Sequence, residues 1–79
     1  MNDKLVTVLA DVFGLRREQI VPQLTKDDVG NWDSLKQMDL VVSLEREFGV
    51  ELEIADIITM TSVEKINRIL KAKGVDLEA

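Results

Sequence analysis

Gly30-Asn31-Trp32-Asp33-Ser34-Leu35 opens the longest helical stretch of this chain, which continues to Phe48 and stops at Gly49. An Asp-Ser pair before an apolar run reads as a helix start, because both side chains accept hydrogen bonds from the orphan amides of a first turn. The serine therefore sits on the first turn, in the most acidic part of the sequence. Nothing else in the chain offers comparable chemistry. Its 79 residues include no Cys, no His and no Tyr. Thiol, imidazole and phenol catalysis are excluded, and so are disulfides and Cys/His zinc sites. Covalent chemistry, if any, falls to Ser34, with the reactive group supplied from elsewhere.

The helix that follows has one apolar face too many. Stepped at roughly 100° per residue from Leu35, the side chains of Leu40, Val41, Leu44 and Phe48 fall between about 140° and 240°, an ordinary core-facing stripe. Leu35, Met38 and Val42 form a second stripe between about 300° and 0°, closely flanked by Asp39, Glu45 and Arg46. Together the stripes exceed the roughly 100° that one core contact needs. Two readings stay open: a central helix whose second stripe is covered by a loop, or a docking surface rimmed by charge.

Working outward, the pattern predicts an all-α fold: a small bundle of three main helices and one short one, with a long first loop. The first helix runs from about Asp3 to Phe13, with Leu5, Val8, Leu9 and Val12 on one stripe, Asn2 or Asp3 as cap and Gly14 as stop. Leu15 to Trp32 is a long connection pinned by Ile20, Val21, Leu24, Val29 and Trp32, with room for a helical turn near Leu24. A short third helix covers roughly Ile54 to Ile58. Thr61-Ser62-Val63-Glu64 reads as a capping box for the last helix, which buries Val63, Ile66, Ile69 and Leu70. Lys71 and Lys73 suit its C-terminal dipole, and Gly74 ends it.

The apolar fraction of 46% with 32% charged residues marks a folded chain, near the lower size limit for a self-sufficient core. A single domain over residues 1–79 is expected. The formal charge of −5 is uneven: Asp27 to Asp56 carries −7 and the remainder +2. An acidic middle repels phosphate backbones and anionic lipid, which argues against nucleic acid or stable membrane association and favours a basic protein partner. The apolar runs are too short to span a membrane, and Met1-Asn2-Asp3-Lys4 lacks the basic and apolar parts of a signal peptide. A cytoplasmic, freestanding monomer is expected. Glu51, Glu53 and Asp56 lack a calcium-loop pattern, so they read as a solvated acidic edge and no metal site is expected there.

Ser34 has a plain reading as a helix cap. It is not a hydrolase nucleophile, since the only bases are carboxylates and no Gly-x-Ser-x-Gly elbow exists. Its position also suits a phosphodiester, because free amides and the helix dipole favour an anion. A modifying enzyme could attach one without catalytic residues in this chain.

The run Asp28-Val29-Gly30-Asn31-Trp32-Asp33-Ser34-Leu35, followed by Met38-Asp39-Leu40-Val41-Val42-Ser43-Leu44-Glu45-Arg46-Glu47-Phe48-Gly49-Val50, resembles the acyl carrier proteins. The likeness covers nearly the whole chain, and Thr61-Ser62-Val63 is similar to the family's usual start of the final helix. It implies that Ser34 carries 4'-phosphopantetheine covalently, with an acyl group held as a thioester and no catalytic residue in the chain itself. It implies that Asp33, Leu35, Met38, Asp39, Val42 and Glu45 face partner enzymes. Those partners would be a phosphopantetheinyl transferase, an acyl ligase or transacylase, and synthase and acyltransferase enzymes.

Three features depart from the resemblance: Lys36 and Arg46 where acids are frequent, Trp32 with an extra residue in the loop, and an aliphatic Ile54-Ala55-Asp56-Ile57-Ile58. They point away from general fatty acid synthesis and toward a specialised lipid, polyketide or surface-saccharide pathway. The alternatives are a peptidyl or aminoacyl carrier, against which Asp33 leans, and a helical interaction module in which Ser34 is only a cap. The branched core side chains could part for an acyl tail or form an ordinary packed core, and Trp32 reads as a loop anchor.

Overall fold

The computed structural model describes residues 1–77. Four helices form where the periodicity places them: α1 (Asp3–Phe13), α2 (Ser34–Phe48), α3 (Ile54–Thr59) and α4 (Val63–Ala72). Asn2 caps α1, its side chain accepting from the Leu5 amide at 2.9 Å. Gly14 and Gly49 close α1 and α2 at φ of 67° and 63°, the left-handed geometry that a side chain resists. Leu5, Leu9, Leu40, Leu44, Met60 and Ile66 are fully buried, so α1, α2 and α4 converge on one aliphatic core.

The first loop is ordered, but not as its composition suggests. Its helical turn is a 3-10 segment at Arg17–Gln19, with only a hydrogen-bonded turn from Val21 to Leu24. Ile20, Val29 and Trp32 are buried and Leu24 packs partly against the core, whereas Val21 is exposed. Arg17 binds Asp3 and Thr7, tying the 3-10 turn back to α1.

The start of α4 explains how the loop is pinned. The Val63 and Glu64 amides donate to the Leu24 and Pro22 carbonyls at 2.9 and 3.1 Å, and the Lys26 amide donates to Thr61 O at 2.9 Å. Ser62, not Thr61, is the cap, accepting from the Lys65 amide at 3.1 Å. With the first amides taken by the loop, Glu64 does not reach back to Thr61 and pairs with Arg68 instead. The predicted capping box is therefore one residue out of register and half replaced by the loop. Ile69 is only half-buried, at the edge of the α4 stripe.

No residue of α3 is fully buried. Ile57 packs partly on the core, and polar ties hold the rest. The Glu53 amide donates to the Asp56 carboxylate at 2.9 Å, which also meets Lys73 at 2.8 Å. Asp56 is thus a link between α3 and the end of α4 rather than part of a solvated acidic edge. The Lys73 hydrogen bond, then the Glu53 amide, hold the Asp56 carboxyl below its ordinary 3.8. The same bond to Asp56 raises the Lys73 ammonium above its ordinary 10.5.

The signs fix a pH window. A lowered carboxyl pKa contributes stability above its ordinary value, lost as pH falls through the lowered one. A raised ammonium pKa contributes below its ordinary value, lost as pH rises through the raised one. The methyl resonances of Ile57 are expected to stay constant between pH 3.8 and 10.5 and to move outside that window. Asp56→Asn should remove both steps in an NMR titration; steps that survive it would assign them to other groups.

Candidate functional site

The turn before Ser34 is fastened to two neighbours. Trp32 is buried and stacks on Phe13 with ring centroids 4.5 Å apart, a loop anchor as its apolar body suggests. Asn31 donates to the Phe13 carbonyl at 3.4 Å, satisfying one of the end carbonyls of α1. The Trp32 indole N–H donates to Gln37 Oε1 at 2.6 Å. Gln37 in turn donates from Nε2 to the Ile57 and Met60 carbonyls, at 2.8 and 3.3 Å. One amide side chain thus ties the turn before Ser34 to the end of α3.

Asp33, not Ser34, caps α2. Its carboxylate accepts from the Lys36 amide at 2.9 Å and its carbonyl from the Gln37 amide at 2.8 Å. The bonds of the described residues leave the Ser34 and Leu35 amides without a protein acceptor, and the Ser34 hydroxyl is exposed and enters none of them. The contrast with α4, whose first two amides are covered by the loop, is direct. An exposed hydroxyl beside two open amides at a helix N-terminus is an arrangement that accepts a covalently attached anion.

The second apolar stripe of α2 is open: Leu35, Met38 and Val42 are 83%, 54% and 51% exposed. No loop covers it, which answers the choice between a buried and an open second face. On α3, Ile54 and Ile58 are likewise 76% and 72% exposed. Met38 and Ile58 line a common cleft of about 390 Å³ with Lys26, Ser34, Gln37, Ile57 and Thr61. Asp39 is exposed and lines a second hollow of about 430 Å³ with Asn31, Asp33, Leu35 and Lys36, also beside the first turn. Glu45 is half-buried, and its carboxylate accepts from the Leu52 amide at 2.9 Å, bracing the α2–α3 connection.

Gln37 was legible as an anomaly. It falls at roughly 200°, inside the core-facing arc of α2, and a polar side chain there needs partners. Ile54 and Ile58 carried no such signal, since exposure of a six-residue helix is a tertiary property. Among the described residues no group of three or more acids could hold a metal ion, and no helix is long and apolar enough to cross a membrane.

A small helical bundle with an exposed serine at one helix N-terminus fits a cofactor-attachment domain. The comparison with known families agrees: the model described as "Phosphopantetheine attachment site" matches residues 3–70. The chain belongs to that family, whose group is covalently held phosphopantetheine. It is similar to the acyl carrier protein of Thermosynechococcus vestitus, 36% identical over 50 residues that cover 63% of this chain and 62% of that protein. It is also similar to the 3-methylorcinaldehyde synthase of Talaromyces stipitatus, 36% identical over 62 residues, 78% of this chain and 2% of that protein. The matches thus span less than two thirds of each relative's own length. The resemblance to acyl carrier proteins read from the sequence is borne out.

Gln37→Met keeps the volume and removes the polar ties. It is expected to lower stability by about 1–3 kcal/mol, because the indole N–H and two carbonyls lose their partner. Denaturant midpoints would measure this, and Trp32, the sole tryptophan, should report the loosened turn as red-shifted emission. Unchanged emission and midpoint would mean that the turn is held by the Phe13 stacking alone.

Proposed function

We propose that residues 1–79 form one acyl carrier domain, without catalytic activity of its own, in which Ser34 bears the phosphopantetheine. The observation that carries this reading is the free Ser34 hydroxyl beside two open amides, within the span that matches the attachment family. Asp33 takes the capping role and so leaves Ser34 available for modification. On this reading a phosphopantetheinyl transferase supplies the base. Ser34 Oγ forms a bond to phosphorus, the pyrophosphate bond of coenzyme A breaks, adenosine 3',5'-bisphosphate leaves, and the hydroxyl proton passes to that base. The attached group supplies a terminal thiol on which an acyl chain is carried as a thioester.

Leu35, Met38 and Val42 are the apolar contact for partner enzymes, with Asp33, Asp39 and Glu45 as neighbouring acids. Glu45 acts more through the α2–α3 connection than through direct contact, given its bond to Leu52. Charged rims set encounter rates more than affinity, so binding is weak and salt-sensitive, which suits a carrier that must leave after each step. Lys36 and Arg46 weaken the negative field along α2, and Ile54 and Ile58 enlarge the apolar part. Both features favour a dedicated set of acyl ligases or transacylases, synthases and acyltransferases in a specialised lipid or polyketide pathway. The similarity to part of a polyketide-forming synthase supports the same direction. A cytoplasmic monomer completes the reading.

Incubation with a phosphopantetheinyl transferase and coenzyme A should raise the intact mass by one phosphopantetheine, and Ser34→Ala should abolish the gain. A chain left unmodified by several competent transferases would return Ser34 to a plain surface serine. Specialisation has its own test: a transacylase of general fatty acid synthesis is expected to load malonyl groups about tenfold or more slowly than onto its own carrier, a difference of roughly 1.4 kcal/mol in barrier. Equal rates would remove the case for a dedicated partner set.

A further inference from the structure

Two hollows flank the first turn of α2, and they differ in charge. One, lined by Asn31, Asp33, Leu35, Lys36 and Asp39, presents two carboxylates and one ammonium. The other, lined by Lys26, Ser34, Gln37, Met38, Ile57, Ile58 and Thr61, presents an ammonium and no carboxylate. An anion on Ser34 is repelled on the first side by Asp33 and Asp39 and attracted on the second by Lys26. The chain therefore breaks the symmetry of the site by charge alone.

Lys26 is held where this matters. Its amide donates to Thr61 O at 2.9 Å, beside the Thr25–Ser62 bridge, so its stem leaves a fixed stretch of backbone. On that turn Asp28 is engaged by the Thr25 amide and hydroxyl at 3.0 and 3.1 Å, while Asp27 and Glu64 line the groove on the other side of Lys26. Lys26 itself enters no ion pair among the described residues. Its side chain stands on a rim, also bordering a groove with Pro22, Asp27 and Lys65, so a nearby anion decides which way the ammonium turns.

We infer that Lys26 is the counter-charge of the Ser34 phosphodiester, and that it directs the pantetheine arm along the carboxylate-free side of the turn. The inference rests on the attachment at Ser34. The cleft suits the arm's chemistry: Met38, Ile57 and Ile58 offer apolar surface for its geminal methyls, and Thr61 a hydroxyl for its amides. Lys26 is a positioning residue here. It biases where the thiol dwells without touching the acyl group.

The test uses the modified protein, with Lys26→Gln to remove the charge and Lys26→Arg to keep it. Intact mass first establishes the single phosphopantetheine; its absence in the wild type would overturn the Ser34 reading and this inference together. Given the modification, the phosphorus resonance of the wild type should move between roughly 10 mM and 1 M salt, as the screening length falls from about 30 to 3 Å. That movement should be lost in Lys26→Gln and kept in Lys26→Arg. Cross-relaxation between the Lys26 side chain and the arm should appear in the wild type at low salt and vanish at high salt. A modified wild type with a salt-independent resonance, or one whose resonance is the same in Lys26→Gln, overturns the role of Lys26 and leaves the attachment at Ser34 intact.

Discussion

The Gln37 amide is the constraint on which the arrangement around Ser34 depends. It accepts from the Trp32 indole and donates to the Ile57 and Met60 carbonyls, joining three segments by polar bonds. Without it α3 would be held by Ile57 and the buried Met60 that ends it, and by two charged ties at its other end. A six-residue helix has too few internal hydrogen bonds to stand alone. Its placement, and with it the cleft beside Ser34, therefore follows from a half-buried polar side chain together with the burial of Met60. Such ties are directional, so they set orientation more sharply than apolar packing does.

The same economy of partners separates the two helix starts. At α4 the first-loop carbonyls of Leu24 and Pro22 occupy the first two amides, and Ser62 occupies the third. At α2 the third and fourth amides go to Asp33, while those of Ser34 and Leu35 stay open. Stability alone would favour closing both ends, since each satisfied end group adds a few tenths to about 1 kcal/mol. The end left open next to an exposed hydroxyl lies within the span that matches the attachment family.

Periodicity made most of the fold legible. The bounds of α1 and α2 followed from apolar spacing and from Gly14 and Gly49, whose effects are local. The second stripe of α2 was visible as an excess of apolar arc, and its exposure followed only when the loop was seen to lie elsewhere. The misses share one cause. The capping pattern at Thr61-Ser62-Val63-Glu64 lost to the loop, because tertiary carbonyls reached the α4 amides first. Lys73 was assigned to a helix dipole and, from the C-cap of α4, also meets Asp56, a partner on another element. Glu45 was read as a surface acid and braces Leu52. Where a polar group's partner lies far along the chain, local sequence cannot name it.

The exposed aliphatics bear on how partners would be told apart. Leu35, Met38, Val42, Ile54 and Ile58 contribute nothing to the buried core, and one cleft links Met38 on α2 to Ile58 on α3. In a chain this short every buried side chain matters to stability, so five large apolar groups left exposed are available for contact with a partner. Along α2 the charges nearly cancel, with Lys36 and Arg46 among Asp39, Glu45 and Glu47, and Arg46 already paired with Glu47. A weak net field gives little long-range steering, and it is screened within about 8 Å at physiological salt. Discrimination on such a surface must then come from the fit of apolar side chains at contact, which acts on dissociation more than on encounter. The acidic middle of the chain can gather basic partners, but the shape of the α2–α3 face is what would choose among them.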